Sequence, residues 1–275
     1  MSNIYSAFTK SKYLTTKYKN YFAVYEKLLK KYVNTKFTFV EIGVLNGGSL
    51  LMWKDFFGES ARIIGIDLNP NVKKFENDGF EIFIGNQSDP IFWDKFFKST
   101  GKVDVILDDG GHTNEQKIIT SQCCIPNIKD DGMLIIEDTH ASYSEKFDNP
   151  SKYSFINYSK KVIDDINFRF PNSNKFKNSL NNYVYSIQYF ESLVCFIINQ
   201  KLCIENKKID NKGTNFDHLD FRFEDNKNNF FFKIKKKYFF LKKYWFARAT
   251  YRMLFNIYLF FFNKRKNKKI AKYFE

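Results

Sequence analysis

Five short apolar runs, at residues 37–42, 63–66, 81–84, 103–107 and 133–136, recur through the first half of the chain with helix-length segments between them. Nothing else in the sequence restricts the fold so strongly. Runs this short that are apolar on both faces are strands covered on both sides, and parallel neighbours need a long, usually helical crossover between them. The pattern therefore predicts βαβ units and a parallel sheet. Gly, Asp or Asn follows most of the runs, at the strand ends where turns and ligands belong in such sheets.

Around this repeat the chain is less regular. Residues 18–33 place Tyr21, Phe22, Tyr25, Leu28, Leu29 and Tyr32 at helical spacing between lysines, which predicts an amphipathic helix. Residues 183–187 and 193–198 are two β-rich runs suited to an antiparallel pair at the sheet edge. A polar stretch, 144–181, contains one helix candidate at 158–168. Residues 204–232 read as a linker.

The net charge of +14 is concentrated at one end. Residues 233–275 carry 14 Lys/Arg and one acid, Glu275, which leaves the other 232 residues at +1. The body is electrically ordinary, so the high isoelectric point is no argument for a nucleic-acid binder. The tail interleaves lysine clusters, at 235–237, 242–243 and 264–269, with Phe, Tyr, Trp and Leu. Its uncharged stretch, 253–263, is too short to span a bilayer. Two uses fit it equally: an interfacial helix on anionic lipid, or a packing arm in a homo-oligomer. Cys123, Cys124, Cys195 and Cys203 lack zinc-like spacing, and together with an N-terminus without a secretory apolar stretch they point to reduced thiols in the cytoplasm. The lipid option adds a peripheral position at the inner face of the cytoplasmic membrane.

Three strand ends carry chemistry. Phe39-Val40-Glu41-Ile42-Gly43-Val44-Leu45-Asn46-Gly47-Gly48-Ser49 places glycines where a backbone can approach a ligand and a helix N-terminus follows. Its spacing departs from the G-x-G-x-x-G of dinucleotide-binding dehydrogenases, and an acid ahead of the first glycine suits a sulfonium amino acid better than a diphosphate. Asp67 ends the next strand, at the offset where an acid accepts from ribose hydroxyls. Gln87 lies in the small polar stretch Gly85-Asn86-Gln87-Ser88-Asp89, which serves either an adenine edge or an Asx turn. Finally, Val105-Ile106-Leu107-Asp108-Asp109-Gly110-Gly111-His112 and Leu134-Ile135-Ile136-Glu137-Asp138-Thr139-His140 should project from one sheet edge. Converging carboxylates there require a cation, and hard oxygen donors without cysteine select Mg²⁺, with Mn²⁺ or Ca²⁺ as alternatives.

Together these motifs resemble class I S-adenosylmethionine-dependent methyltransferases, and more narrowly the metal-dependent sugar O-methyltransferases of the macrolide-sugar type. The resemblance covers roughly residues 12–145. It implies a Rossmann-like, doubly wound, mostly parallel α/β sheet with an antiparallel edge hairpin, an N-terminal helix and a basic aromatic C-terminal helical tail. The expected organisation is a helical segment over 1–36, the methyltransferase domain over 37–203, the linker, and the tail over 233–275. The resemblance also implies Asp109, Glu137 and Asp138 as metal ligands, His112 as general base, and Glu41, Gly43, Asn46, Gly47, Ser49, Asp67, Gln87 and Asp108 around S-adenosyl-L-methionine. The acceptor it implies is a sugar or nucleotide sugar, in capsule, lipopolysaccharide or other glycan biosynthesis. A small catechol-like acceptor and a non-catalytic binding module are the alternatives. Gly111 stands where the family usually has Ser and Asn86 where Asp is common. His140 is expected beside the site, and His218 on the surface of the linker.

Overall fold

The computed structural model describes residues 3–147, 152–170, 180–214, 237 and 244–273. The expected position of His218 lies outside them. The chain divides into two units, residues 1–208 and 209–275.

In the first unit the apolar runs form the strands β1 (Thr38–Ile42), β2 (Arg62–Asp67), β3 (Glu81–Ile84), β4 (Val103–Asp108) and β5 (Ile128–Ile136). The hairpin strands are β6 (Val184–Phe190) and β7 (Leu193–Ile198). They make one sheet in the order β3-β2-β1-β4-β5-β7-β6, parallel except at β7 and β6. The mostly parallel sheet with an antiparallel edge pair is thus as the sequence predicts. The hairpin turn is tighter than the sequence suggests: Glu191 and Ser192 alone join the strands, with Ser192 at φ 60°.

Among the described residues of this unit, the α-helices that follow β1 are α3 (Gly48–Phe57), α4 (Pro90–Thr100), α5 (Asn114–Cys124) and α6 (Phe155–Asn167). Three of them begin at a side-chain cap that accepts from a free N–H group, while the first, α3, begins after Gly47, held in the left-handed region at φ 75°. Asp89 accepts from Ile91 N ahead of α4, and Ser154 accepts from Asn157 N ahead of α6. Thr113 and Gln116 form a reciprocal capping box at the start of α5. The 18–33 helix is shorter than its periodicity suggests: α2 spans Tyr21–Leu29 and tightens into a 3₁₀ turn, Lys30–Tyr32. Another helix, α1 (Asn3–Lys10), lies ahead of it, within the segment 1–36 expected to be helical but without a periodicity of its own to mark it. Both pack, together with Trp53 and Phe57 of α3, on the sheet face that carries Phe39, so the N-terminal segment shares the core of the sheet. The opposite face is filled by Val40, Ile64, Trp93, Phe96, Ile106 and Phe196 among others.

Register decides what stands at the strand ends. Ile42 is level with Ile66 and with Asp108, and Asp108 is level with Ile136. The ladder continues one step further, because Asp109 N donates to Ile42 O, Glu137 N to Asp108 O and Gly43 N to Ile66 O. The turns after β1, β4 and β5 therefore emerge side by side.

The second unit contains, among its described residues, α7 (Trp245–Ile270), a helix of 26 residues. Trp245, Phe246, Met253, Leu254, Phe260 and Phe261 on it are exposed. No described helix is long and apolar enough to cross a membrane.

Gly43 is a point of the sheet edge where backbone meets backbone. It sits at φ +92°, and a Cβ there would stand 2.2 Å from the carbonyl oxygen of Asp109. Backbone strain and a backbone clash combine at this residue, so Gly43→Ala should lower the unfolding free energy by about 2 kcal/mol or more in urea titration.

Candidate active site

A cavity of about 630 Å³ opens over the ends of β1, β2, β4 and β5. Gly43, Asp67, Gln87, Asp109, His112, Glu137 and Asp138 all line it. Its volume is in the range of small-molecule and cofactor sites.

Asp109 and Glu137 each take the first position after a strand, and Asp138 the next. His112 and Asp138 are both held in the left-handed region, at φ 63° and 53°. Non-glycine residues adopt that conformation only where the surroundings over-determine it, and such positions gather at functional sites. Ligand atoms of Asp109, His112 and Asp138 lie within 4.8 Å of one another. His112 Nε2 stands 3.4 Å from Asp138 Oδ2, while its Nδ1 is buried without a hydrogen-bond partner among the described residues. Two carboxylates with no thiolate fit a hard divalent ion such as Mg²⁺ or Mn²⁺, which takes oxygen ligands, and the imidazole beside them is left to handle a proton.

Glu137 stands apart from that triad. It is buried to 1% exposure; Lys17 Nζ donates to its Oε2 at 3.0 Å and the Tyr25 hydroxyl to its Oε1. Lys17 also donates to Asp109 Oδ2 at 2.5 Å. Burial alone would push the Lys17 ammonium down, but the carboxylates of Glu137 and Asp109 hold it above the ordinary lysine range. Burial pushes Glu137 up, and Lys17 opposes that push. Asp138 accepts from the Tyr21 hydroxyl at 2.6 Å through Oδ1, and its carbonyl accepts from Lys117 Nζ at 2.5 Å. Burial brings Lys117 down to about 8.

The residues expected around the cofactor divide by position. Gly43, Asp67 and Gln87 face the cavity, whereas Glu41, Gly47, Ser49 and Asp108 do not line it. Asn46 borders a separate depression with Tyr13, Lys74 and Phe75. Asp67 Oδ2 accepts from Val44 N at 2.8 Å and Leu45 N at 3.0 Å, so it fixes the glycine loop. Gln87 donates to both oxygens of Asp108 at 3.0 Å and accepts from Gly111 N at 3.0 Å, joining the turn after β3 to the Asp-Asp-Gly-Gly turn. Glu41 is buried, accepting from Ser49 Oγ at 2.8 Å and Trp53 Nε1 at 2.9 Å. His140, half exposed, contacts Ser192 Oγ through Nδ1 at 2.5 Å and does not line the cavity.

Lys17, Tyr21, Tyr25 and Lys117 are the site residues that reading the motifs passes over. Tyr21 and Tyr25 sit on the apolar face of a predicted helix, where a phenolic hydroxyl needs a polar partner once buried. Lys117 sits on a helix face that also buries Thr120, Ser121 and Cys124. A lysine on such a face is the available signal, since buried lysines are almost always paired.

No protein-family model matches the chain. In sequence it is similar to demethylmacrocin O-methyltransferase of Streptomyces fradiae, 29% identical over 51% of this chain and 38% of the relative. It is also similar to mycinamicin VI 2''-O-methyltransferase of Micromonospora griseorubida, 31% identical over 43% of this chain and 31% of the relative. The chain thus spans less than half the length of these relatives. Among solved structures, MycE methyltransferase from the mycinamycin biosynthetic pathway, in complex with Mg and SAH, superposes with a TM-score of 0.65 at 22% identity, over 72% of this chain and 55% of that one. The fold is that of a class I methyltransferase. Within this methyltransferase fold, the cavity lies over the C-terminal ends of the strands, the ligand-binding edge of open α/β sheets.

Burial raises Glu41 from its ordinary 4.5 to about 7. Between those values the folded protein holds a proton that the unfolded chain has released, so this group lowers stability as pH rises across the window. Glu41→Gln should remove up to about 1.4 kcal/mol per pH unit of that slope, measured by urea unfolding at pH 4.5 to 7.

Proposed function

We propose that the chain is an S-adenosylmethionine- and divalent-ion-dependent O-methyltransferase acting on a sugar hydroxyl. The observation that carries this reading is the convergence of Asp109, His112 and Asp138 beside a cavity whose other rim is formed by Gly43, Leu45 and Asp67. The names of the sequence relatives, sugar O-methyltransferases of macrolide and tetracenomycin pathways, support the acceptor class. None of those names supports capsule or lipopolysaccharide biosynthesis, so the acceptor is stated as a sugar hydroxyl without a pathway.

Asp109 and Asp138 would hold the ion, and Glu137, which is paired with Lys17, would be a third ligand only once that ion pair opens. Bound there, Mg²⁺ would lower the pKa of an acceptor hydroxyl, and S-adenosylmethionine would supply the methyl group. The chain's own residues do the rest. His112 accepts the hydroxyl proton at a ring nitrogen, and Asp138, beside Nε2, orients the ring and stabilises its protonated form. Asp67 and the glycine loop hold the cofactor end of the cavity, and Gln87 keeps the His112 turn in register with it. In-line transfer then depends mainly on orientation.

Calorimetry with S-adenosylmethionine should give binding, and absence of binding would remove this reading. His112→Ala should keep cofactor affinity and lose about 10²- to 10⁴-fold in methyl transfer to a panel of nucleotide sugars. Chelation by EDTA should abolish turnover; turnover unaffected by EDTA would remove the ion's role and leave the cofactor's.

The tail reading is a partner for this enzyme: α7 binds an anionic lipid surface. Its support is a helix without a single acid, exposed aromatic residues at its start, and lysines and arginine at 264–269. The full-length protein should float with phosphatidylglycerol vesicles and not with phosphatidylcholine vesicles, and lose flotation at high salt. Salt-independent self-association without flotation would assign α7 to a homo-oligomer instead.

A further inference from the structure

The cation that the carboxylates meet in this chain is one of its own. Lys17 lies in the segment 11–20 between α1 and α2, which adopts no regular structure. Its side chain is 2% exposed and bridges Asp109 Oδ2 and Glu137 Oε2. The segment is also fixed near its other end. Ser11 Oγ donates to Gly48 O at 2.8 Å. The carbonyls of Tyr13 and Leu14 pass so near Gly48 that a Cβ there would stand 2.3 and 2.6 Å from them. One stretch of chain therefore touches the glycine turn ahead of α3 and the carboxylates after β4 and β5, and Thr16, Lys17 and Tyr18 line the cavity between.

An ammonium and a divalent ion seek the same oxygens. Asp109 belongs both to the triad that fits a metal and to the ion pair with Lys17. Two cations in contact with one carboxylate repel each other, and a poorly solvated site strengthens that repulsion. A charged lysine is also costly to bury, so Lys17 is retained here only with its carboxylate partners.

We propose that Lys17 competes with the divalent ion for Asp109 and Glu137, so that ion binding displaces the ammonium and releases segment 11–20 at its cavity end. The proposal rests on reading the carboxylate cluster as a divalent-ion site. Without the ion, Lys17 neutralises Asp109 and the buried Glu137 and lowers the site's affinity for metal. With the ion, Glu137 becomes available as a ligand, and the chain over the cavity becomes free to rearrange around an acceptor.

The test is Mn²⁺ binding to the full-length protein, followed by electron paramagnetic resonance, with amide exchange of residues 11–20 measured with and without Mn²⁺. Lys17→Met should bind Mn²⁺ at least about tenfold more tightly than the wild type, because it lacks the competing charge. Lys17→Arg keeps that charge and should stay near the wild type. In the wild type, saturating Mn²⁺ should speed exchange in segment 11–20. Equal or weaker Mn²⁺ binding by a folded Lys17→Met would overturn the competition and leave the metal site standing. Absence of binding by both proteins would overturn the metal reading and this proposal with it. Should Lys17→Met fail to fold, wild-type exchange decides alone: unchanged exchange in the segment at saturating Mn²⁺ overturns the proposal.

Discussion

Glu41, Asp108, Asp109, Glu137 and Asp138 crowd the C-terminal ends of three neighbouring strands, and three of them are fully buried. Removing carboxylates from water costs several kcal/mol each unless they are paired and hydrogen-bonded. The surrounding architecture can be understood as meeting that cost. Ser49 and Trp53 serve Glu41, Gln87 serves Asp108, Lys17 serves Asp109 and, with Tyr25, Glu137, and Tyr21 serves Asp138. Those donors come from α2, α3, the segment before α2 and the turn after β3, so the packing of the N-terminal helices is tied to the electrostatics of the site.

Gly111, in the turn that carries His112, is sterically tied to the helix that follows it. The resemblance leads to a serine being expected at 111, and in this chain a Cβ at 111 would stand 2.1 Å from Gln116 Nε2. Gln116 is engaged in the capping box that starts α5. The missing hydroxyl beside His112 is therefore coupled to how this chain caps its helix, and a serine at 111 would have to displace that amide.

Much of the fold was legible because strand burial leaves a direct imprint on sequence. Short runs apolar on both faces gave all five parallel strands, and the β-rich pair gave the edge hairpin. Boundaries were less legible. β5 begins at Ile128, five residues before its apolar run, because Lys129, Asp130 and Asp131 occupy strand positions where burial is partial or absent. α1 carries only eight residues, too few for periodicity to stand out.

The carboxylates and His112 could be read from the chain, since a polar cluster after an apolar strand is visible locally. Their convergence also followed, because parallel strands place their ends on one edge. What only tertiary structure decided is which group neutralises which. Lys17 lies 92 residues from Asp109 and 120 from Glu137, and Tyr21 lies 117 from Asp138. A lysine in a polar segment and a tyrosine on an apolar helix face carry no local mark of a partner so distant. Sequence thus determined where negative charge accumulates, while the packing of α2 and segment 11–20 against the sheet edge determined how that charge is balanced.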